Sequence, residues 1–549
     1  MDYSQRIEFL KNRTLGNFNR NNQRPIHRST DSSQFIQEIN GRMGIILHKT
    51  VLFPFIDLTD TATVVSAPNP SITTVAQVFT ALQSLMVYNA SISVPPTKSA
   101  RIAYMWFFTV ASAYSWVTSA QSVTGTKDAW NWDIKNVIDS NDVFIWMTHI
   151  LVGIMSNFVP SYDTSSLLHN ERMNYSWTDA EQTSEWARVS AIGDYTAWLS
   201  AWNTWYTSRV NDGNVAASVP PSDSVLPNGS TRLNVSVSQD ISAYAEPRKW
   251  TPLVINGVVR NFLTYGWGDV RSTCLTASDE TNINSTSSAF FLGSSAARDT
   301  EIDNLVTLTN ALTDLEKMTA EFWAGGPLTV SPPCMMIWFW KKYIEATNAN
   351  MNVMIYSGLE LSINIFESSR LTWALKRQYM ENRPIQEIRR RYATQTLTKY
   401  DGTAISGSLW VPYQESTFVT PPFADFPSGH STFSQSFAQV MTAWFGSTIP
   451  TMDITMSDMN LLSPIFSGGQ YVNKLSRIVI PAKSSTIQVG VVPSTDEALS
   501  WTTWQNMADS AGISRQYGGI HCQSAHLGGQ SVANGIFPRV TSEWSISRT

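Results

Sequence analysis

The chain has 549 residues, of which 43% are hydrophobic and 15% charged, with 21 Trp, 18 Tyr and 24 Phe. This composition excludes a disordered chain and suffices for one large core or two coupled ones. A formal net charge of −5, with no basic tail or basic module interleaved with aromatics, argues against a nucleic-acid partner. Three scattered cysteines, Cys274, Cys334 and Cys522, argue against a disulfide framework or a zinc site.

Residues 1–70 read as a polar arm, apolar around GIILHKTVLFPFI, that packs on the body. The amino terminus has no apolar signal-like core, which gives a cytoplasmic protein as the default expectation. No run reaches the roughly 18 apolar residues of a membrane span. IAYMWFFTVASAYSWV and FIWMTHILVGIM are therefore read as buried core helices, with apolar positions at helical spacing on nearly every side. Helical periodicity runs from about Ser71 to about Arg209. Residues 211–238, rich in Pro, Gly, Ser and Asn, read as a surface loop or boundary, and 276–297 as a second irregular patch. Helices are expected again over 306–322, 334–347 and 351–380. Residues 399–427 are turn-rich. SRIVIPAKSSTIQVGVV contains a β-like piece, and Ser494-Thr-Asp-Glu497 reads as a capping box opening a helix that ends at Gly512.

Three pieces carry candidate chemistry. In the first, Lys376 precedes Arg383 by seven residues, two helical turns, so both cations can share one face. Pro384 disfavours helix at Arg383 and puts that residue at a helix end. In the second, Ser428, Gly429 and His430 open a helix whose stripe is Phe433, Phe437, Val440, Met441, Trp444 and Phe445, with Gly446 as its stop. Free N–H groups and the positive end of the helix dipole make that first turn an anion site, and Gly429 allows close approach. In the third, the Gly518-Gly519 turn after Ser514-Arg515 can return His521 toward Arg515. Taken singly, each piece is equally compatible with a solvated basic face, a plain serine cap or a loop histidine. Jointly, two arginines, a lysine, a hydroxyl, a glycine N–H and two imidazoles suit a trianionic tetrahedral group.

Lys, six residues, Arg-Pro, then Pro-Ser-Gly-His, then Ser-Arg, five residues, His resembles the signature of the vanadium haloperoxidase and acid phosphatase superfamily. PTKSARIAYMWFFTVASAYSWV, KWTPLVINGVVRNFLTYGWGDVR, EFWAGGPLTVSPP and TPPFADFPSGHSTFS are similar to its bacterial-type haloperoxidase-like members, from roughly Pro96 onward. The resemblance implies an all-α fold of two packed helical bundles with minor β pieces in loops. Its expected boundaries are an arm at 1–70, an amino-terminal bundle at 71–330 and a carboxyl-terminal bundle at 331–549 that carries the site.

It also implies a vanadium-dependent haloperoxidase holding vanadate and using hydrogen peroxide to oxidise chloride or bromide to hypohalous acid, which halogenates an organic substrate. A homo-oligomer is possible within the family. Lys376, Arg383 and Arg515 would neutralise the vanadate oxygens, with Lys376 also polarising the bound peroxide. Ser428 and the Gly429 N–H would hydrogen-bond those oxygens. His521 would be the metal ligand and His430 the acid–base residue. Trp373 and Phe423 would form the pocket wall, Phe423 at the position aromatic in chloroperoxidases. Three positions depart from the pattern. Gly325 and Gly326 stand where an acidic partner for Arg515 is expected. Ala525 replaces the Asp that orients the last histidine in phosphatases, which argues against a phosphohistidine. Cys522 replaces an aromatic beside His521 and is exposed to oxidative chemistry, while His526 reads as a surface histidine. The alternatives are a soluble phosphatase holding phosphate in the same cradle and working through a phosphohistidine, and a catalytically impaired binding or structural relative.

Overall fold

The computed structural model describes residues 70–118, 138, 140–160, 162–218, 233–234, 248–454, 462–466, 473–544, 546 and 548. The expected amino-terminal arm and most of the 219–247 stretch lie outside the described residues. Pro70–Thr549 form one compact unit.

Helices dominate. The first layer is α1 (Pro70–Ser91), α2 (Pro96–Val117), α3 (Ser140–Phe158), α4 (Ser165–Tyr175), α5 (Asp179–Ile192) and α6 (Tyr195–Val210). The two apolar runs singled out above are α2 and α3. Each is buried on almost every side, and among the described residues no helix is long and apolar enough to cross a membrane. After the short α7 (Asn214–Ala217) and β1 (Leu233–Asn234) comes a hairpin of β2 (Leu253–Ile255) and β3 (Val258–Arg260).

The supposed irregular patch at 276–297 is largely helical, as α8 (Ala277–Ser287) and the start of α9 (Ala296–Asn310). Its Thr276–Asp279 capping box satisfies the first turn and offsets a composition poor in helix formers. The single helix expected over 306–322 is split, with α9 ending at Asn310 and α10 (Asp314–Phe322) restarting at a second capping box, Thr313–Glu316.

The carboxyl-terminal half is built on α11 (Pro332–Thr347) and the 29-residue α12 (Met351–Tyr379). α12 packs along α2, with Tyr104 stacked on Phe366 at 5.2 Å between ring centres. It stops where Met380 turns left-handed (φ 48°). Three residues later Arg383, in extended conformation, caps α13 (Pro384–Arg391). A small hairpin of β4 (Thr396–Thr398) and β5 (Ala404–Ser406) interrupts the turn-rich stretch before α14 (Gly429–Phe445). The Ser428 hydroxyl accepts from the Ser431 N–H, and Gly446 ends the helix at φ 80°, as the sequence indicates. A four-stranded sheet, β6 (Asp453–Ile454), β7 (Asn473–Lys474), β8 (Arg477–Ile480) and β9 (Glu497–Ser500), covers one side.

β9 overturns the helix start read at Ser494–Glu497. Glu497 pairs with Ile480 in the sheet, and the helix begins seven residues later as α15 (Trp504–Tyr517), capped by the Thr503 hydroxyl on the Asn506 N–H. Gly512 is an interior residue of α15, not its end. Glycine is required there because a Cβ would run into the His526 ring.

α14 lies between α12, α15 and α16 (Gln523–Trp544), and these four helices frame the candidate site. The α14–α16 approach depends on Gly529. A Cβ there would sit 2.5 Å from the Ser428 carbonyl oxygen and 2.9 Å from the Ser431 Cβ. Gly529→Ala is expected to destabilise the fold by about 1–3 kcal/mol, since neither helix can retreat without opening the core. Urea unfolding measures this, and an unchanged midpoint would mean that the helices part freely.

Candidate active site

Each of the three sequence pieces ends at the same place. Lys376 projects from the last turn of α12, Arg383 from the cap of α13, and Ser428, Gly429 and His430 from the first turn of α14. Arg515 comes from the last turn of α15 and His521 from the turn after it. That turn works as its glycines suggest. Gly519 adopts φ 66°, and the Ile520 and His521 N–H groups fold back onto the Arg515 carbonyl at 3.0 and 3.3 Å. One expectation fails. Lys376 and Arg383 do not share a helix face, because the helix stops between them. They meet through Phe423, whose ring centre is 5.2 Å from the lysine Nζ and 4.9 Å from the guanidinium carbon. Trp373 packs on Phe423 at 4.8 Å and donates its indole N–H to the Leu263 carbonyl.

All the cations are buried. The Lys376 ammonium donates to the Ala424 and Asp425 carbonyls at 2.8 and 2.9 Å. Arg383 donates to the Phe423 carbonyl at 2.6 Å and the Ile520 carbonyl at 2.7 Å, and its Nη2 is buried with no partner. Burial, followed by the charge of Arg383, pushes Lys376 well down. Burial pushes Arg383 down to about 10, and burial with Arg383 pushes Arg515 down to about 9. Among the described residues the only carboxylate in ion-pair range of these three is Asp425, 4.0 Å from Arg383. Cations driven toward their neutral forms around an unpartnered guanidinium nitrogen leave an anion-shaped deficit. The amino end of α14 faces it with N–H groups outside the helix's own ladder.

Asp425 is the residue that sequence reasoning missed. Its carboxylate holds His521 Nδ1 in a short hydrogen bond, while Arg383 Nη1 lies 3.1 Å from His521 Nε2. A carboxylate only accepts and a guanidinium only donates, so Nδ1 carries the proton and Nε2 presents a lone pair to the cradle. Burial and Arg383 depress His521, which is therefore neutral, and against its own burial Asp425 is held ionised by its contact with His521, followed by Arg298 and Arg383. The inference drawn from Ala525 is thus corrected. The orienting carboxylate comes from the FADFP turn, and Ala525 instead accepts the Ser428 N–H through its carbonyl at 2.8 Å. The signal was present, since Asp425 is the one acidic residue in the run from Phe418 to Thr451.

The wall opposite is the carboxyl end of α10. The Ala320 carbonyl accepts from Arg515 Nη2 at 2.6 Å, and the Trp323 carbonyl accepts from His430 Nε2 at 2.9 Å. Arg515 therefore has an orienting partner despite Gly325. Gly325 sits at φ 52° against Pro332 and has no space for a side chain. His430, with Nε2–H committed, has Nδ1 as its basic nitrogen, and burial followed by Arg515 keeps it neutral. His526 is not a surface residue. It is 7% exposed, and its Nδ1 meets the Ser431 hydroxyl at 2.9 Å. Cys522 is a free, buried thiol pushed up by burial.

Glu381 is 3% exposed, and neither carboxyl oxygen has a hydrogen-bond partner. Burial pushes it up to about 8 against the pull of Arg298. The folded protein thus keeps a proton that the unfolded chain has released, so this group's contribution is full below the ordinary carboxyl range and lost as pH rises toward about 8. Glu381→Gln is expected to raise the melting temperature at pH 8 and leave it nearly unchanged at pH 4. A variant that tracks the natural chain at both pH values would refute the assignment.

Residues 357–543 match the family model described as VCPO second helical-bundle domain. No curated protein matches. Among solved structures the chain is similar to a holo-type bacterial vanadium-dependent chloroperoxidase, at 15% identity and TM-score 0.55, covering 83% of this chain and 94% of that one. It is likewise similar to a bacterial vanadium-dependent iodoperoxidase, at 16% identity and TM-score 0.57, covering 85% and 95%. The fold is shared with these proteins.

Proposed function

We propose that the protein is a vanadium-dependent haloperoxidase that oxidises chloride or bromide with hydrogen peroxide. The observation that carries this reading is the deficit of anion among Lys376, Arg383 and Arg515, beside a histidine whose Nε2 lone pair faces them. The donor set fits vanadate: forked and point cations for its oxygens, helix N–H groups, and one imidazole nitrogen for the metal. Bound vanadium(V) supplies a Lewis-acidic centre that activates peroxide without changing its own oxidation state.

The chain's own residues do the rest. Arg383 would hold an anion oxygen through its unpartnered Nη2, and His521 Nε2 would be the nitrogen available to the metal. An entering anion offsets the burial and neighbouring charge that disfavour the charged forms of Lys376 and Arg515. The Ser428 hydroxyl and the Gly429 N–H hold oxygens at the amino end of α14. His430 takes a proton from hydrogen peroxide at Nδ1, its Nε2–H remaining on the Trp323 carbonyl. Phe423 and Trp373 keep water from the cation side.

A second reading keeps support from one observation. The Asp425–His521 pair also suits a histidine nucleophile attacking a phosphate ester, with His430 in its protonated form as general acid. The test is reconstitution with orthovanadate and assay of peroxide-dependent bromination of a dione dye, with a phosphate-ester assay alongside. Vanadate-dependent bromination supports the haloperoxidase, ester turnover without bromination the phosphatase, and silence in both a binding role.

A further inference from the structure

Arg298 lies outside the cradle, at the start of α9, and is 1% exposed. Its guanidinium joins three segments of the site. Nη2 donates to Asp425 Oδ2 at 3.1 Å and to the Asn382 carbonyl at 3.3 Å. Nη1 donates to Glu301 Oε2 at 2.9 Å, and Nε lies 3.5 Å from Glu381 Oε1. Asp425 uses its other oxygen on His521, and Glu301 caps the start of α16 by accepting the Ser524 N–H and, at 2.9 Å, its hydroxyl. One side chain thus touches the carboxylate behind His521, the residue before Arg383 and the acid that fixes the helix following His521.

We propose that Arg298 is a positioning residue that fixes the tautomer and direction of His521 through Asp425. This rests on the reading of His521 as the group presented to the oxyanion. The argument is one of geometry. Asp425 Oδ1 accepts the Nδ1 proton only while Oδ2 is held elsewhere, and Arg298 holds it. A planar fork with five donors serves Asp425, Asn382 and Glu301 at once; an ammonium on a flexible stem does not. Without the fork the buried carboxylate loses its main stable counter-charge, and the imidazole loses the acceptor that decides which nitrogen carries the proton.

The test compares the whole chain with Arg298→Lys and Arg298→Gln, using histidine-selective 15N NMR for the His521 tautomer and calorimetry with inorganic phosphate and orthovanadate for affinity. The His521 signal is assigned from its loss in His521→Gln. In the natural chain His521 is expected to be neutral, with Nδ1 protonated and Nε2 bare. In Arg298→Lys, still folded, that signal is expected to move toward the other tautomer and anion affinity to fall about 10- to 100-fold. Arg298→Gln is expected to go further; if it fails to fold, Arg298→Lys decides alone. A folded Arg298→Lys with the natural tautomer and affinity overturns the proposal and leaves a structural ion pair. So does a natural chain with the proton on Nε2. If the natural chain binds neither anion, the functional reading fails, while the tautomer comparison still decides the role of Arg298.

Discussion

His521→Ala is expected to abolish vanadate-dependent bromination, with a loss on the order of 10³-fold or more, the scale on which a preorganised catalytic group is removed. His521 is 2% exposed, and its Nε2 is the one imidazole nitrogen with a lone pair beside Arg383. Alanine leaves Asp425 facing a gap and Arg383 Nη1 with only the Ile520 carbonyl. Three cations still attract an anion, so binding of phosphate or vanadate should weaken far less than turnover. The two are separable by calorimetry and by the dione assay. Added imidazole is expected to restore part of the activity by entering the gap. A variant that brominates at the natural rate would remove His521 from the mechanism.

Asp425→Asn should cost nearly as much, although it changes one atom. Arg298 Nη2 stays charged and donates toward the side chain, so the amide turns its oxygen to Arg298 and its NH2 toward His521. An NH2 facing Nδ1 requires a lone pair there, which moves the imidazole proton to Nε2. His521 then presents N–H to the cradle and opposes the Arg383 N–H beside it. The expected loss in kcat is on the order of 10²- to 10⁴-fold, between the effect of removing a group that orients a metal-bound histidine and that of converting a triad aspartate to asparagine. The variant is expected to be less stable as well, because buried Arg298 and Arg383 lose a counter-charge, so turnover is compared at temperatures where it is still folded. Circular dichroism and the dione assay together decide, and a folded variant with natural turnover would show that the tautomer is fixed by something else.

The residues of the cradle could be read from the sequence because their spacing is local. Ser428-Gly429-His430 needs only a helix start, and the Gly518-Gly519 turn needs only a positive φ to bring His521 back to Arg515. What orients those residues could not be read, because it comes from distant chain. Asp425 reaches His521 across 96 residues, the Ala320 carbonyl reaches Arg515 across 195, and Arg298 reaches Asp425 across 127. The same logic explains the misplaced helix at Ser494–Glu497. A capping pattern is a local preference, and the pairing of β9 with β8, decided elsewhere in the chain, outweighs it. The patch at 276–297 failed in the opposite direction: its Thr276–Asp279 box was local and readable, but the polar composition around it obscured the signal.

The carbonyls at the end of α10 have a consequence of a different kind. A carboxylate that orients an arginine can be protonated by acid or removed by a single base change in the gene. A main-chain oxygen cannot. Arg515 and His430 are held on that side by atoms that every amino acid supplies, so substitution at Ala320 or Trp323 leaves their acceptors in place. The wall is encoded by where a helix stops, and only a shift of that stopping point can erase it.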